Sequence, residues 1–192
     1  LTALRTLERG GFLLNRKVLI TGATGGVGHL AIQLARQAGA NVVASVRRPE
    51  HEALARTFGA QQVAIGENMA QAREFGPYHL ILESIGGESL ANALTMLTLG
   101  GLCVNFGSSS PSEVTLDTRR FFSGGGSLQG FLIFNDLTRK AGAEDLAQLA
   151  AMIDDGRLKP RIEVEAPWTD IGAITRQLLE RRFSGKAVLH VK

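Results

Sequence analysis

Lys17-Val18-Leu19-Ile20-Thr21-Gly22-Ala23-Thr24-Gly25-Gly26-Val27-Gly28 is the stretch on which the fold turns. Residues 17–21 read as a short buried strand. From residue 27 to 38, Val27, Leu30, Ala31, Leu34, Ala35 and Ala38 recur with the 3.6-residue period of a helix, and Gly39 ends it as a C-cap. A glycine-rich turn can bind nothing, but here it follows a strand and opens a helix, the setting of a dinucleotide-binding turn. Glycines let the backbone bend tightly and approach a pyrophosphate, while the helix N-terminus offers free N–H groups and a positive dipole end. Gly22, Thr24, Gly25, Gly26 and Val27 are therefore candidate cofactor-binding residues. No Gly-Lys-Ser/Thr follows, which excludes a nucleoside-triphosphate P-loop.

Outward from this turn, short β-rich runs alternate with helical patterns. Strands are expected at residues 41–46, 62–65, 79–82, 101–106 and 128–134. Helices are expected from Pro49 through Phe58 and near residues 88–98. Alternation of this kind means parallel βαβ units. The expected fold is α/β: a doubly wound, parallel, six-stranded Rossmann sheet of order 3-2-1-4-5-6 with helices on both faces. Beyond residue 140 the pattern changes, with a helix over 143–153, a strand at 162–166, a helix near 170–182 and a strand at 186–191. The division expected is 1–140 for the dinucleotide-binding domain and 141–192 for a C-terminal return. Residues 108–112 and 123–127 read as Gly/Ser-rich loops.

The chain has 192 residues, 44% hydrophobic and 20% charged, enough apolar material for a real core. Lys plus Arg number 21 against 18 Asp plus Glu, and the signs are interspersed. No basic stripe for nucleic acid is present, and no apolar run approaches the ~18 residues of a membrane span. One cysteine, Cys103, excludes a disulfide framework and a multi-cysteine zinc site. His29, His51, His79 and His190 lack ligand spacing, so no metal site is expected. These features suit a reducing, cytoplasmic compartment. The chain starts at Leu1 inside a helical pattern, which reads as a piece of a longer protein.

In NAD-binding versions of the fold, an acid about 20 residues past the turn takes the ribose 2′-hydroxyl. Here the second strand ends Ala44-Ser45-Val46-Arg47-Arg48, with no acid before Glu50. Arg47 and Arg48 stand where a 2′-phosphate would sit, and Ser45 could add a hydroxyl. The expected cofactor is NADP(H). Ligands of open α/β sheets lie outside the carboxyl ends of the strands. Ile85 and Gly86 after the fourth strand, and Phe106, Gly107 and Ser108 after the fifth, should flank the cofactor.

The turn also satisfies the T-G-x-x-x-G-x-G of the short-chain dehydrogenases. Those need a Tyr-x-x-x-Lys pair, and the one tyrosine, Tyr78, is followed by Leu82. A broader likeness runs along nearly the whole chain: Leu1-Thr2-Ala3-Leu4, the strand and turn at 17–28, Ala31-Ile32-Gln33-Leu34-Ala35, Phe58-Gly59-Ala60, Ser84-Ile85-Gly86-Gly87, Phe106-Gly107 and Gly185-Lys186-Ala187-Val188-Leu189. In these residues the chain resembles the medium-chain dehydrogenase/reductases, in their zinc-independent quinone oxidoreductase and enoyl reductase branch. The resemblance implies hydride transfer from NADPH to a small-molecule quinone, α,β-unsaturated carbonyl or enoyl substrate. It also implies that Thr2 joins the loops after strands four and five in contacting ribose and nicotinamide. Half the substrate pocket would come from an N-terminal domain preceding Leu1. No residue here is assigned a catalytic role, and the isolated domain is expected to be inactive. The resemblance further implies a homodimer through the apolar edge strand at 128–134. Two other readings stay open: a non-catalytic dinucleotide-binding or redox-sensing module, and the enoyl reductase portion of a multidomain synthase.

Overall fold

Alternating apolar residues in each strand supply two opposite faces of one sheet. In the computed structural model, which describes residues 1–110, 113–180, 182–183 and 185–191, six parallel strands pair side by side. They are β1 (Lys17–Ile20), β2 (Asn41–Val46), β3 (Gln62–Ile65), β4 (Tyr78–Glu83), β5 (Leu97–Asn105) and β6 (Ser127–Gly130), in the order β3-β2-β1-β4-β5-β6. Val18, Ile20, Val42, Ala44, Leu80, Leu82 and Val104 pack on one side. There they meet α1 (Thr2–Glu8), α2 (Gly28–Gln37), α3 (Glu52–Thr57) and α7 (Ala143–Asp154). Leu19, Val43, Ile81 and Cys103 face the other way, toward Met69, Ala72 and α4 (Gly87–Leu94). The expected architecture and strand order are those observed.

Several expected boundaries are not. The sixth strand ends at Gly130 rather than 134, because the chain turns into α6 (Ile133–Leu137). Phe131 folds inward beneath the Arg9 guanidinium, 5.6 Å from its ring centre, leaving Phe134 exposed on the helix. The helix expected near 88–98 stops at Leu94. The fifth strand starts at Leu97, and its pairing with β4 shifts register before Leu102, where Gly100 takes φ +73°. Pro49 opens a 3₁₀ turn, Pro49–His51, ahead of α3. The short α5 (Thr118–Ser123), capped by the Asp117 carboxylate on Arg120 N–H at 3.0 Å, has no counterpart in the sequence reading.

Beyond α7, β7 (Ile162–Pro167) and β8 (Lys186–His190) pair in parallel with one another, connected through α8 (Ile171–Leu179). Residues 111–112 of the loop expected at 108–112, and residue 181 of the helix expected near 170–182, lie outside the described residues. The helix α1 is fastened by a buried ion cluster. The Arg5 guanidinium donates to Asp136 at 3.1 Å, to the Ala141 carbonyl at 3.0 Å and to Asp145. Arg9 adds a second pair to Asp136.

Candidate cofactor-binding site

The site forms where β1, β4 and β5 end. Leaving β1, Thr21 fixes two turns together: its hydroxyl accepts Ser84 N–H at 2.8 Å, and its own N–H donates to the Leu82 carbonyl at 3.0 Å. Gly22 takes the left-handed conformation, φ +56°, and a Cβ there would stand 2.9 Å from Ser84 Oγ. It is Gly22, not Gly25 or Gly26, that needs glycine for its backbone angles. A Cβ on Gly28 would stand 2.3 Å from the Gly22 carbonyl, so the helix starts directly against the turn. Ala23 N–H reaches the Ser45 carbonyl, and Gly25 N–H the Gly22 carbonyl at 2.9 Å. Among the described residues, the N–H groups of Gly26, Val27 and Gly28 donate to no protein acceptor. Three unpaired donors at a ten-residue helix's N-terminus, beside the side-chain-free pair Gly25-Gly26, fit a pyrophosphate.

A buried carboxylate shapes the second turn. Glu83, fully shielded from solvent, accepts from Ile85 N–H at 2.9 Å, Gly86 N–H at 3.0 Å, Ser89 hydroxyl at 3.1 Å and Asn105 Nδ2 at 2.9 Å. Asn105 also donates to the Gly107 carbonyl at 2.9 Å, and Ser110 N–H donates to the Ile85 carbonyl at 2.8 Å. Gly86 has φ +81°, and a Cβ there would stand 2.9 Å from Ser108 Oγ. Ile85, Gly86, Gly107 and Ser108 are thus brought together with the Gly22 turn, and Phe106 joins through its N–H on the Glu83 carbonyl at 2.9 Å. Thr2 is half-buried at the start of α1, which packs against α2.

At the end of β2, Ser45 is buried while Arg47 and Arg48 are exposed. Arg48 lies 3.6 Å from the Glu50 carboxylate, and Arg47 makes no ion pair among the described residues. Three residues escaped the sequence reading. Glu83 carried a signal, a carboxylate ending the apolar run Leu80-Ile81-Leu82. Asn105, on the next strand, shares that carboxylate. Lys186 came from far along the chain: a Cβ on Gly26 would stand 3.0 Å from its Nζ. It therefore sets an ammonium beside the turn's unpaired N–H groups.

The profile of the zinc-binding dehydrogenase family, described by that name, matches residues 26–154. The chain belongs to this family. Oxidoreductases of the family bind a nicotinamide dinucleotide. The chain is 27% identical to an acryloyl-coenzyme A reductase of Sulfurisphaera tokodaii, over 94% of this chain and 52% of that protein. It is 30% identical to an NADP-dependent oxidoreductase of Cochliobolus heterostrophus, over 91% of this chain and 53% of that one. The chain thus spans about half the length of these curated relatives. The crystal structure of an NAD-dependent alcohol dehydrogenase, 25% identical, superposes with a TM-score of 0.87 over all of this chain and 56% of that one. The relatives bear out the resemblance to the reductase branch. Among the described residues no group of three or more His, Cys, Asp or Glu side chains is placed to hold a metal ion. No helix among them is long and apolar enough to cross a membrane.

Proposed function

We propose that the chain is the NADP(H)-binding domain of a reductase acting on a quinone, an α,β-unsaturated carbonyl or an enoyl thioester. The observation that carries this is the convergence of the 21–28, 84–87 and 106–110 turns on one helix N-terminus with unpaired donors. NADPH supplies the hydride. The chain's residues bind and orient: Gly26, Val27 and Gly28 N–H groups and Lys186 hold the pyrophosphate. Thr2, Thr24, Ile85, Gly86, Phe106, Gly107 and Ser108 line the path to ribose and nicotinamide. Arg47 and Arg48 take the 2′-phosphate, with Ser45 beneath them steadying the turn through its carbonyl. The NADP-dependent relative supports the phosphate reading, as does the lack of an acid on β2 before Glu50. In this reading residues 1–140 form the cofactor domain, and 141–192 return toward a substrate-binding partner domain, with Lys186 reaching back to the pyrophosphate turn on the way. The protein works in the cytoplasm as a homodimer.

Calorimetric titration of the folded chain tests it. NADPH should bind at least tenfold more tightly than NADH, the ratio of about one charge-assisted contact. Equal binding overturns the NADP assignment, and binding of neither overturns the site.

A further inference from the structure

One face of α2 carries a polar ladder, His29, Gln33 and Gln37, each four residues from the last. Its partner is main chain from the segment that runs from α7 to β7. Gln37 Nε2 donates to the Arg157 carbonyl at 2.7 Å. Gln33 makes a two-way amide pair with Lys159, at 3.0 Å to its carbonyl and 2.8 Å from its N–H. His29 Nε2 accepts Arg161 N–H at 3.0 Å. The spacing matches: four helical residues rise ~6 Å, and two extended residues span ~6.6 Å. The ladder therefore reads residues 157, 159 and 161 in turn.

The top rung differs from the others because it touches the cofactor turn. His29 Nδ1 lies 2.8 Å from the Gly25 carbonyl. Since Nε2 accepts from Arg161, the ring carries its one proton on Nδ1 and donates it to Gly25. Arg161 in turn accepts Lys186 N–H at 3.1 Å. Gly25, His29, Arg161 and Lys186 thus form one chain of contacts from the turn to the ammonium beside it.

We propose that His29, in its uncharged form, is a positioning residue that places Lys186 against the pyrophosphate turn. An imidazolium would turn an N–H toward Arg161 N–H and break the chain. Among the described residues, the groups facing the ring are Lys186 from β8, the Arg161 side chain (paired with Glu163 at 2.8 Å) and the Phe58 ring after α3, 5.3 Å away, and none of these supplies an anion directly to the imidazole. The proposal rests on the cofactor reading above.

The test is NADPH affinity from pH 5.5 to 8, with melting curves, for wild type, His29→Ala, His29→Gln and Lys186→Ala, and for Lys186→Ala combined with each His29 variant. At pH 7.5, His29→Ala and Lys186→Ala should each weaken binding about tenfold, and the pair by little more than either alone. His29→Gln, whose Oε1 can still accept from Arg161, should stay within about threefold of wild type and keep the full Lys186→Ala loss. Wild type should lose affinity toward acid pH more steeply than His29→Gln; the 2′-phosphate titrates equally in both. If His29→Ala does not melt cooperatively, the Gln background decides. Losses that multiply, a Gln variant as weak as Ala, or identical pH profiles overturn the role of His29 alone. A folded wild type that binds no dinucleotide overturns the cofactor reading and this inference together.

Discussion

Arg47 and Arg48 follow β2 at the position where other dinucleotide folds place an acid, and both guanidinium groups stand in solvent. Each charge-assisted phosphate contact is worth ~1.5–3 kcal/mol, or roughly 10–150-fold in affinity. Replacing both by Ala should weaken NADPH by at least that factor and leave NADH nearly unchanged in a fluorescence titration. Equal losses would show that the arginines do not read the 2′-phosphate. Gly26→Val should abolish binding without unfolding the chain, as circular dichroism can verify. The nearest atoms to its Cβ are the flexible end of Lys186 and the Gly185 carbonyl, at 3.0 and 3.5 Å, but the branched group fills the phosphate's place. His29 gives a pH signature in stability as well. Its pKa is held below the usual histidine range by burial, with Lys186 and Arg161 adding and the Gly25 carbonyl opposing. As pH falls, the unfolded chain takes up the proton first. The contribution of the neutral ring is therefore complete above about pH 6.5 and is lost progressively below it. Denaturant midpoints should drop from pH 8 to pH 5, less steeply in His29→Gln. A share remains from His79, lowered by burial and by Arg16 and Lys17. A slope unchanged by the substitution would contradict this.

The turn between β4 and α4 is an element whose shape depends on one carboxylate. Glu83 binds two main-chain N–H groups of its own turn, a hydroxyl of the following helix and an amide of β5. Glu83→Gln would set an NH₂ against one of these donors, at a cost of ~1–3 kcal/mol. It should also loosen the Ile85–Ser110 contact that joins the two loops. Chemical denaturation should show that loss, and hydrogen exchange should speed up at Ser110. A variant as stable and as protected as wild type would rule this out. The strands themselves were legible because a buried parallel sheet leaves continuous apolar runs, as in Val18-Leu19-Ile20 and Leu80-Ile81-Leu82. Where β5 begins was not, since Gly100-Gly101 interrupts the run and only pairing with Tyr78 carries the strand back to Leu97. The site was legible where it is local in sequence, at residues 21–28. Its clamp, Glu83 with Asn105, and its cation, Lys186, depend on contacts 22 and 160 residues apart, which no local period encodes.

Across the whole molecule, the sheet has two edges, β3 and β6, and they differ in character. On β6 and the segments that flank it in the chain lie Leu128, Leu132, Phe134 of α6 and Phe122 of α5, all exposed, the last two by 73% and 71%. Apolar side chains flanking an edge with open N–H and C=O groups invite a second chain. A two-fold axis through β6 would pair the strand with its own copy, antiparallel, and join two sheets into one. The strand is four residues, not the seven expected from its sequence, so in such a dimer the exposed side chains near it would carry more of the association. Light scattering coupled to size exclusion should therefore give twice the mass of one chain at micromolar concentration. Leu132→Lys should shift it toward the single-chain mass by placing a charge in that patch. Gly130→Lys should do the same without disturbing the protomer, because a side chain at Gly130 meets open space. A single-chain mass for wild type, or an unchanged double mass in both variants, would place the interface elsewhere or remove it.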